Sequence, residues 1–195
     1  DADIYGPSQP LMIGASASEL EVKDKKLLKP IVKMGLKFMS MGLISEEKMP
    51  VIWRGPMVSG AVMQLLSQTD WEDLDYLIID TPPGTGDIQL TLLQRMPITA
   101  SLIITTPQSV SISDTRKGIE MIKKLNVPII GLIENMSWYS PKNTKEKHFI
   151  FGKDGGKELA EYYKIDLLAQ IPLVDQATKV LYENQDIQFL FDNIF

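Results

Sequence analysis

The chain has 195 residues, 44% hydrophobic and 23% charged, with a formal net charge of −5. Such a composition fits a globular protein with a substantial core and argues against a broad nucleic-acid footprint, which needs a basic patch. With no cysteine and a single histidine, His148, the chain alone cannot form a disulfide, a thiolate metal or iron–sulfur site, or a histidine-based zinc site.

The chain opens on Asp1-Ala-Asp-Ile-Tyr-Gly-Pro-Ser8, without methionine. This reads as the end of a strand and its loop, so the fold is expected to begin upstream. Asp1 and Asp3 would share one face if they end a strand; taken alone, the pair fits a polar surface loop better. Gly6, Pro7 and Pro10 break regular structure. Residues 19–41 read as short extended, hairpin-like segments followed by a strand at Leu36–Met41, with Met34, Met39 and Met41 as core or interface packing. The lysines at 23–37 and 142–147 read as solvated faces. Pro56 suits the first turn of a helix, and Val58, Ala61, Val62, Leu65 and Leu66 follow on one stripe to about Thr69. Arg54, just before it, is more often a surface ion-pair partner than an anion ligand.

The stretch Leu74 to Gln89 organises the rest. Tyr76 to Ile79 is a short apolar run, expected as a strand buried on both faces of a parallel sheet. It ends in Asp80 and then in Thr81-Pro-Pro-Gly-Thr-Gly86. In open α/β sheets ligands sit at the carboxyl ends of strands. An acid there, followed by a loop that can approach a phosphate closely, points to a nucleotide switch; the plain alternative is a polar turn. Asp87 is the expected N-cap of a helix to about Arg95. Then come a strand at Ile98–Thr105, a helix over Ser111–Leu125, a strand at Val127–Ile133 ending in Glu134-Asn-Met-Ser137, and a polar loop over Trp138–Gly152. Gly155-Gly156 precede or open a helix over Lys157–Tyr163, and a strand follows at Leu167–Ile171. A last helix is expected at Asp175–Glu183, then an aromatic tail holding Phe189, Phe191 and Phe195. This alternation predicts an α/β fold in one domain, a mostly parallel sheet with helices on both faces. No apolar run reaches membrane-spanning length and no signal peptide is visible, so the default location is cytoplasmic.

These loops together resemble the Mrp family of deviant-Walker P-loop ATPases, relatives of ParA and MinD known as carriers or scaffolds in iron–sulfur cluster assembly. The matching pieces are Asp1 to Ser8, Trp53-Arg-Gly-Pro-Met57, Asp75 to Asp87, Thr105-Thr-Pro-Gln108, Glu134-Asn-Met-Ser137, Ile150-Phe-Gly152 with Gly155-Gly156, and Ile171-Pro-Leu173. They run in family order. The resemblance implies ATP and Mg2+ as cofactors. Asp1 would act on magnesium through water, and Asp3 would orient the attacking water. Asp80 is similar to the Walker B carboxylate, another magnesium contact. Thr81 to Gly86, with Gly84 and Gly86 as its hinges, would sense the γ-phosphate. Asn135 would read the adenine edge, and the loop at Pro172 would line the base pocket. A nucleotide-sandwich homodimer, and assembly or recipient apoproteins as partners, follow from the same resemblance; nucleic acid and membrane do not.

Two departures qualify these expectations. The family's glycine- and lysine-bearing Walker A loop would lie upstream of Asp1, and without it this stretch is expected to bind ATP poorly or not at all. Many members carry Cys-x-x-Cys where Pro141 and Thr144 stand here. A 4Fe-4S cluster expected of the family therefore lacks its thiolates. Three functions follow: an ATPase of iron–sulfur cluster assembly; a non-catalytic interaction protein built on a nucleotide-switch fold; and, third, a positioning ATPase like MinD or ParA, disfavoured because the tail shows no clear basic amphipathic helix.

Overall fold

A computed structural model describes residues 1–23, 27–44, 55–141, 144 and 146–173. The Trp53-Arg54 motif, the helix expected at 175–183 and the aromatic tail lie outside the described residues. The chain forms two compact units, Asp1–Met96 and Pro97–Phe195. No helix among the described residues is long and apolar enough to cross a membrane.

In the first unit, a short helix α1 (Gln9–Ile13) precedes two small antiparallel hairpins. The first pairs β1 (Glu21–Lys23) with β2 (Leu27–Lys29), and the second pairs β3 (Ile31–Lys33) with β4 (Leu36–Phe38). Met34 and Gly35 turn the second hairpin with positive φ, the left-handed pair that a two-residue turn requires. The strand expected to run on to Met41 stops at Phe38, and Met41–Ile44 forms the helical turn α2. The hairpin lysines are paired outward: Lys23 with Asp70, Lys29 with Glu21, Lys33 with Glu19 and Lys37 with Glu72. Their ammonium groups pull the Glu19 and Asp70 carboxyls below the usual carboxylate range.

Helices α3 (Gly55–Ser67) and α4 (Asp87–Arg95) cover this unit's core. Val58, Val62 and Leu65 come from α3 at helical spacing, Ile88 and Leu92 from α4, Met41 from α2, and Ala2, Ile4 and Met39 from the connecting stretches. The packing role expected of Met39 and Met41 is met, whereas Met34 is exposed.

The run 76–79 departs from expectation. It belongs to no strand ladder, and Tyr76 and Ile78 are 64% and 69% exposed. An apolar run is buried only when neighbours cover its edges and faces. Its end is held by the Ala2 N–H, which donates to the Asp80 carbonyl at 2.8 Å. Pattern alone thus identified the residue type of a buried strand, not its neighbours.

The second unit is the parallel α/β arrangement that the alternation predicts. Strands β5 (Ser101–Thr105), β6 (Ile129–Glu134) and β7 (Leu167–Gln170) lie in the order β5-β6-β7, all parallel. Helix α5 (Ser109–Lys124) connects the first two and α6 (Gly155–Tyr163) the last two. Ile103 and Leu132 from the sheet meet Ile119 of α5 and Leu159 and Ala160 of α6 in one core. The helices also touch directly: Tyr163 donates to Glu120 at 2.7 Å, and burial together with that bond pushes the Tyr163 phenol up to about 12. Gly131 makes the close β6–β7 approach possible, because a Cβ there would collide with the Leu168 side chain. We expect Gly131→Ala to lower stability by about 1–3 kcal/mol, the usual cost of overpacking, measured by urea unfolding; an unchanged midpoint would contradict this packing.

Candidate functional site

The first unit brings the Asp1, Asp3 and Asp80 stretches together. Asp1 N–H donates to Met39 O at 3.0 Å, Met41 N–H returns to Asp1 O at 3.1 Å, and Ala2 N–H reaches Asp80 O. The backbone of residues 1–2 is therefore held between the 39–41 stretch and the end of the Asp80 run, with Ala2 buried as the apolar plug. Residues 1–3 are not a strand. Instead of standing free side by side, the two carboxylates are tied locally. Asp1 accepts from Asp3 N–H at 3.1 Å and from the buried Ser40 hydroxyl at 2.9 Å. Asp3 accepts from the N–H groups of Tyr5 and Gly6 at 3.0 and 3.2 Å. Asp80 is exposed, and one of its oxygens accepts from Gln9 Nε2 at 2.8 Å.

The loop after Asp80 is clasped from behind. Pro82 and Pro83 have carbonyls but no N–H, and among the described residues no turn N–H donates to those carbonyls. Gln89, buried in the first turn of α4, donates its side-chain amide to Pro82 O at 2.5 Å and Pro83 O at 3.1 Å. Gly84 takes φ +91°, a conformation that side chains resist. Gly86, extended, is the N-cap of α4, so Asp87 is the first helical residue rather than the cap expected for it. Asp87 still places its charge in the first turn, where the helix dipole favours it. Thr81, Gly84 and Gly86 all face solvent in this loop. Gln9, Ser40 and Gln89 were not singled out from sequence. Only Gln89 left a signal, a polar residue on the core side of a helix just after two donor-less prolines.

In the second unit, Asn135 and Pro172 are neighbours. Beyond β6 and β7 the parallel pairing continues: Ile171 N–H donates to Glu134 O at 2.8 Å, Ser137 N–H to Ile171 O at 2.9 Å, and Leu173 N–H to Trp138 O at 2.7 Å. Pro172 sits inside this ladder, where its missing N–H is no loss. Asn135 N–H is held by Thr105 O at 2.7 Å. The Asn135 side-chain oxygen accepts from Met136 N–H at 2.9 Å, and among the described residues its amide NH2 has no partner, so it can donate to a ligand. A separate cavity of about 680 Å³ opens between α5 and α6, lined by Pro107, Arg116, Lys153 and Tyr162 among others. Pro107, Phe151, Gly152 and Gly155 of the matched motifs line it, but none of the residues to which the resemblance assigns a site role does.

Two groups can be tested against these residues. Among the described residues, no three carboxylate or imidazole side chains converge to hold a metal by themselves. Magnesium does not require such a cage, since it keeps several waters and takes one or two carboxylates beside phosphates. Exposed Asp80, at the edge that Asp1 adjoins, fits that role. An iron–sulfur cluster does not fit. Thr144 N–H donates to Pro141 O at 3.2 Å, so positions 141 and 144 share one turn, but neither side chain offers a thiolate.

The nearest class defined by this fold and its loops is a nucleotide-binding P-loop NTPase. A nucleotide-binding protein from Archaeoglobus fulgidus, solved in complex with ADP, matches all of this chain and 72% of its own at 30% identity, with a TM-score of 0.73. The family model described as ParA, the NUBPL iron-transfer P-loop NTPase, matches residues 1–192, and the chain belongs to that family. It is 49% identical over 174 residues to an iron–sulfur cluster carrier protein of Pseudomonas fragi, covering 89% of this chain and 61% of that one. It is 44% identical to the mouse iron–sulfur cluster transfer protein NUBPL, covering 89% of this chain and 54% of that one. The chain thus spans little more than half the length of these relatives.

Removing the Gln89 amide leaves the Pro82 and Pro83 carbonyls without their donor. We expect Gln89→Ala to cost about 1–2 kcal/mol, the usual range for a buried acceptor deprived of its partner, in a urea unfolding series. Wild-type stability would show that the loop does not depend on this clasp.

Proposed function

We propose that this chain supplies the switch and base-recognition parts of a cytoplasmic, magnesium-dependent ATPase that serves iron–sulfur cluster carriage or assembly. The observation that carries this is the junction of residues 1–3 with Asp80, followed at once by a loop with two glycine hinges. Phosphoryl transfer asks of a protein mainly positioning and charge neutralisation. Asp80 and Asp1 would act on magnesium through water, and Asp3 would orient the attacking water. Thr81 to Gly86 would order on the γ-phosphate, a recognised switching mode. Asn135 and the Pro172 loop would hold the adenine. The relatives' names support iron–sulfur transfer as the context, with recipient apoproteins as partners. A nucleotide-sandwich homodimer belongs to this proposal on the strength of the family resemblance.

A second function has its own support. Pro141 and Thr144 stand in one turn where many relatives carry cysteines, which favours a docking protein on a nucleotide-switch fold that holds no cluster. Three retained aspartates favour the ATPase.

Two experiments separate these. In the whole protein that carries this chain, Asp80→Ala is expected to abolish magnesium-dependent ATP hydrolysis, read as phosphate release; unchanged turnover would refute the role of Asp80. Anaerobic reconstitution with iron and sulfide is expected to leave no stable cluster absorbance on the wild-type protein. A cluster that persists through desalting would contradict the assignment of positions 141 and 144.

A further inference from the structure

Glu134 is fully buried, and the chemistry proposed above does not use it. It ends β6, one residue before Asn135. One carboxylate oxygen accepts from Gly156 N–H at 2.5 Å, in the first turn of α6. The other accepts from Gln170 Nε2 at 2.9 Å, at the end of β7. Its backbone carbonyl accepts from Ile171 N–H and from the Ser137 hydroxyl, both at 2.8 Å.

Helix N-termini leave N–H groups that need acceptors and favour negative charge. The N-cap of α6, Asp154, makes no side-chain cap bond, and Glu134 meets the Gly156 N–H from another element. The glycine pair permits this approach. A Cβ on Gly156 would lie 2.9–3.1 Å from three atoms of Glu134, and one on Gly155 would lie 2.6 Å from Pro107 O. The exits of β6 and β7 and the start of α6 therefore meet on one buried side chain, and Asn135 and Pro172 are carried on the two exits.

We propose that Glu134 is a positioning residue for base recognition: it fixes the Asn135 loop against the Pro172 loop by spanning from Gly156 to Gln170. This rests on Asn135 and Pro172 contacting the base. The span makes the requirement one of length rather than of charge alone. A glutamine at 134 keeps the length; its carbonyl can accept from Gly156 N–H, and its NH2 can donate to Gln170 once that amide turns over. An aspartate is one methylene short and cannot reach both partners.

The test uses the whole protein and fluorescent N-methylanthraniloyl derivatives of ATP and GTP. Glu134→Asp and Glu134→Ala are expected to weaken ATP binding about tenfold, the equivalent of one charge-assisted hydrogen bond, with GTP binding unchanged. Glu134→Gln is expected to restore the ATP-to-GTP ratio. Gly156→Ala, which drives a Cβ into Glu134 and leaves that residue intact, is expected to repeat the loss; it decides the matter if Glu134→Ala does not fold. Equal loss for ATP and GTP in the aspartate variant, or no loss in it, would overturn the proposal. Asn135→Ala is the control. If it leaves the ratio unchanged, base contact by Asn135 falls and the positioning role with it. If it collapses the ratio and the Glu134 variants do not, the positioning role alone falls.

Discussion

The hydrogen bond from Ala2 N–H to the Asp80 carbonyl is the constraint on which the first unit's chemistry depends. It joins two stretches far apart in sequence and sets the Asp1 and Asp3 backbone beside Asp80, the proposed magnesium contact. Ala2 must be small and apolar to sit buried between them, and flanking it with carboxylates on both sides places acid at the edge while apolar surface goes inward. The loop that follows Asp80 is stiff at its start, where two prolines fix φ and Gln89 holds their carbonyls, and carries at its end Gly84 and Gly86, whose backbones have the widest conformational choice. The switch proposed for this loop would use both properties: a fixed root tied to the core through α4, and glycines that let the tip follow a phosphate.

The second unit uses a different device. The loops that leave its strands are tied by the continuing parallel ladder between 134–138 and 170–173 and by the buried carboxylate at 134. Close packing through glycine recurs here, at Gly131 against Leu168, Gly155 against Pro107 and Gly156 against Glu134. In each case the missing side chain is what lets a neighbouring element approach.

Much of this was legible in the sequence where a residue's role is set by its own chain neighbours. The α5 and α6 helices, the β5, β6 and β7 strands and the glycine loops followed from periodicity and from glycine and proline placement. The parallel α/β arrangement followed from their alternation. Long-range partners left weaker traces. The apolar run 76–79 reads as a buried strand because its residue types suit one, but burial is a property of neighbours that a pattern does not name. Ser40 and Gln9 act through contacts made 39 and 71 residues away, so nothing local marked them; Glu134 was legible as part of a loop motif, but not as a buried acceptor for Gln170, 36 residues on. The matched motifs Asp1 to Ser8 and Asp75 to Asp87 did meet, as did Glu134 to Ser137 and Ile171 to Leu173, because each pair ends on adjoining backbone.

The central claim is that the loop from Thr81 to Gly86 senses the terminal phosphate. Hydrogen–deuterium exchange of the whole protein, compared without nucleotide, with magnesium–ADP and with a non-hydrolysable ATP analogue, tests it most directly. Slower exchange at Gly84 to Asp87 with the ATP analogue, and not with ADP, is the result this account predicts. Equal exchange at those amides with bound ADP and bound ATP analogue would contradict it.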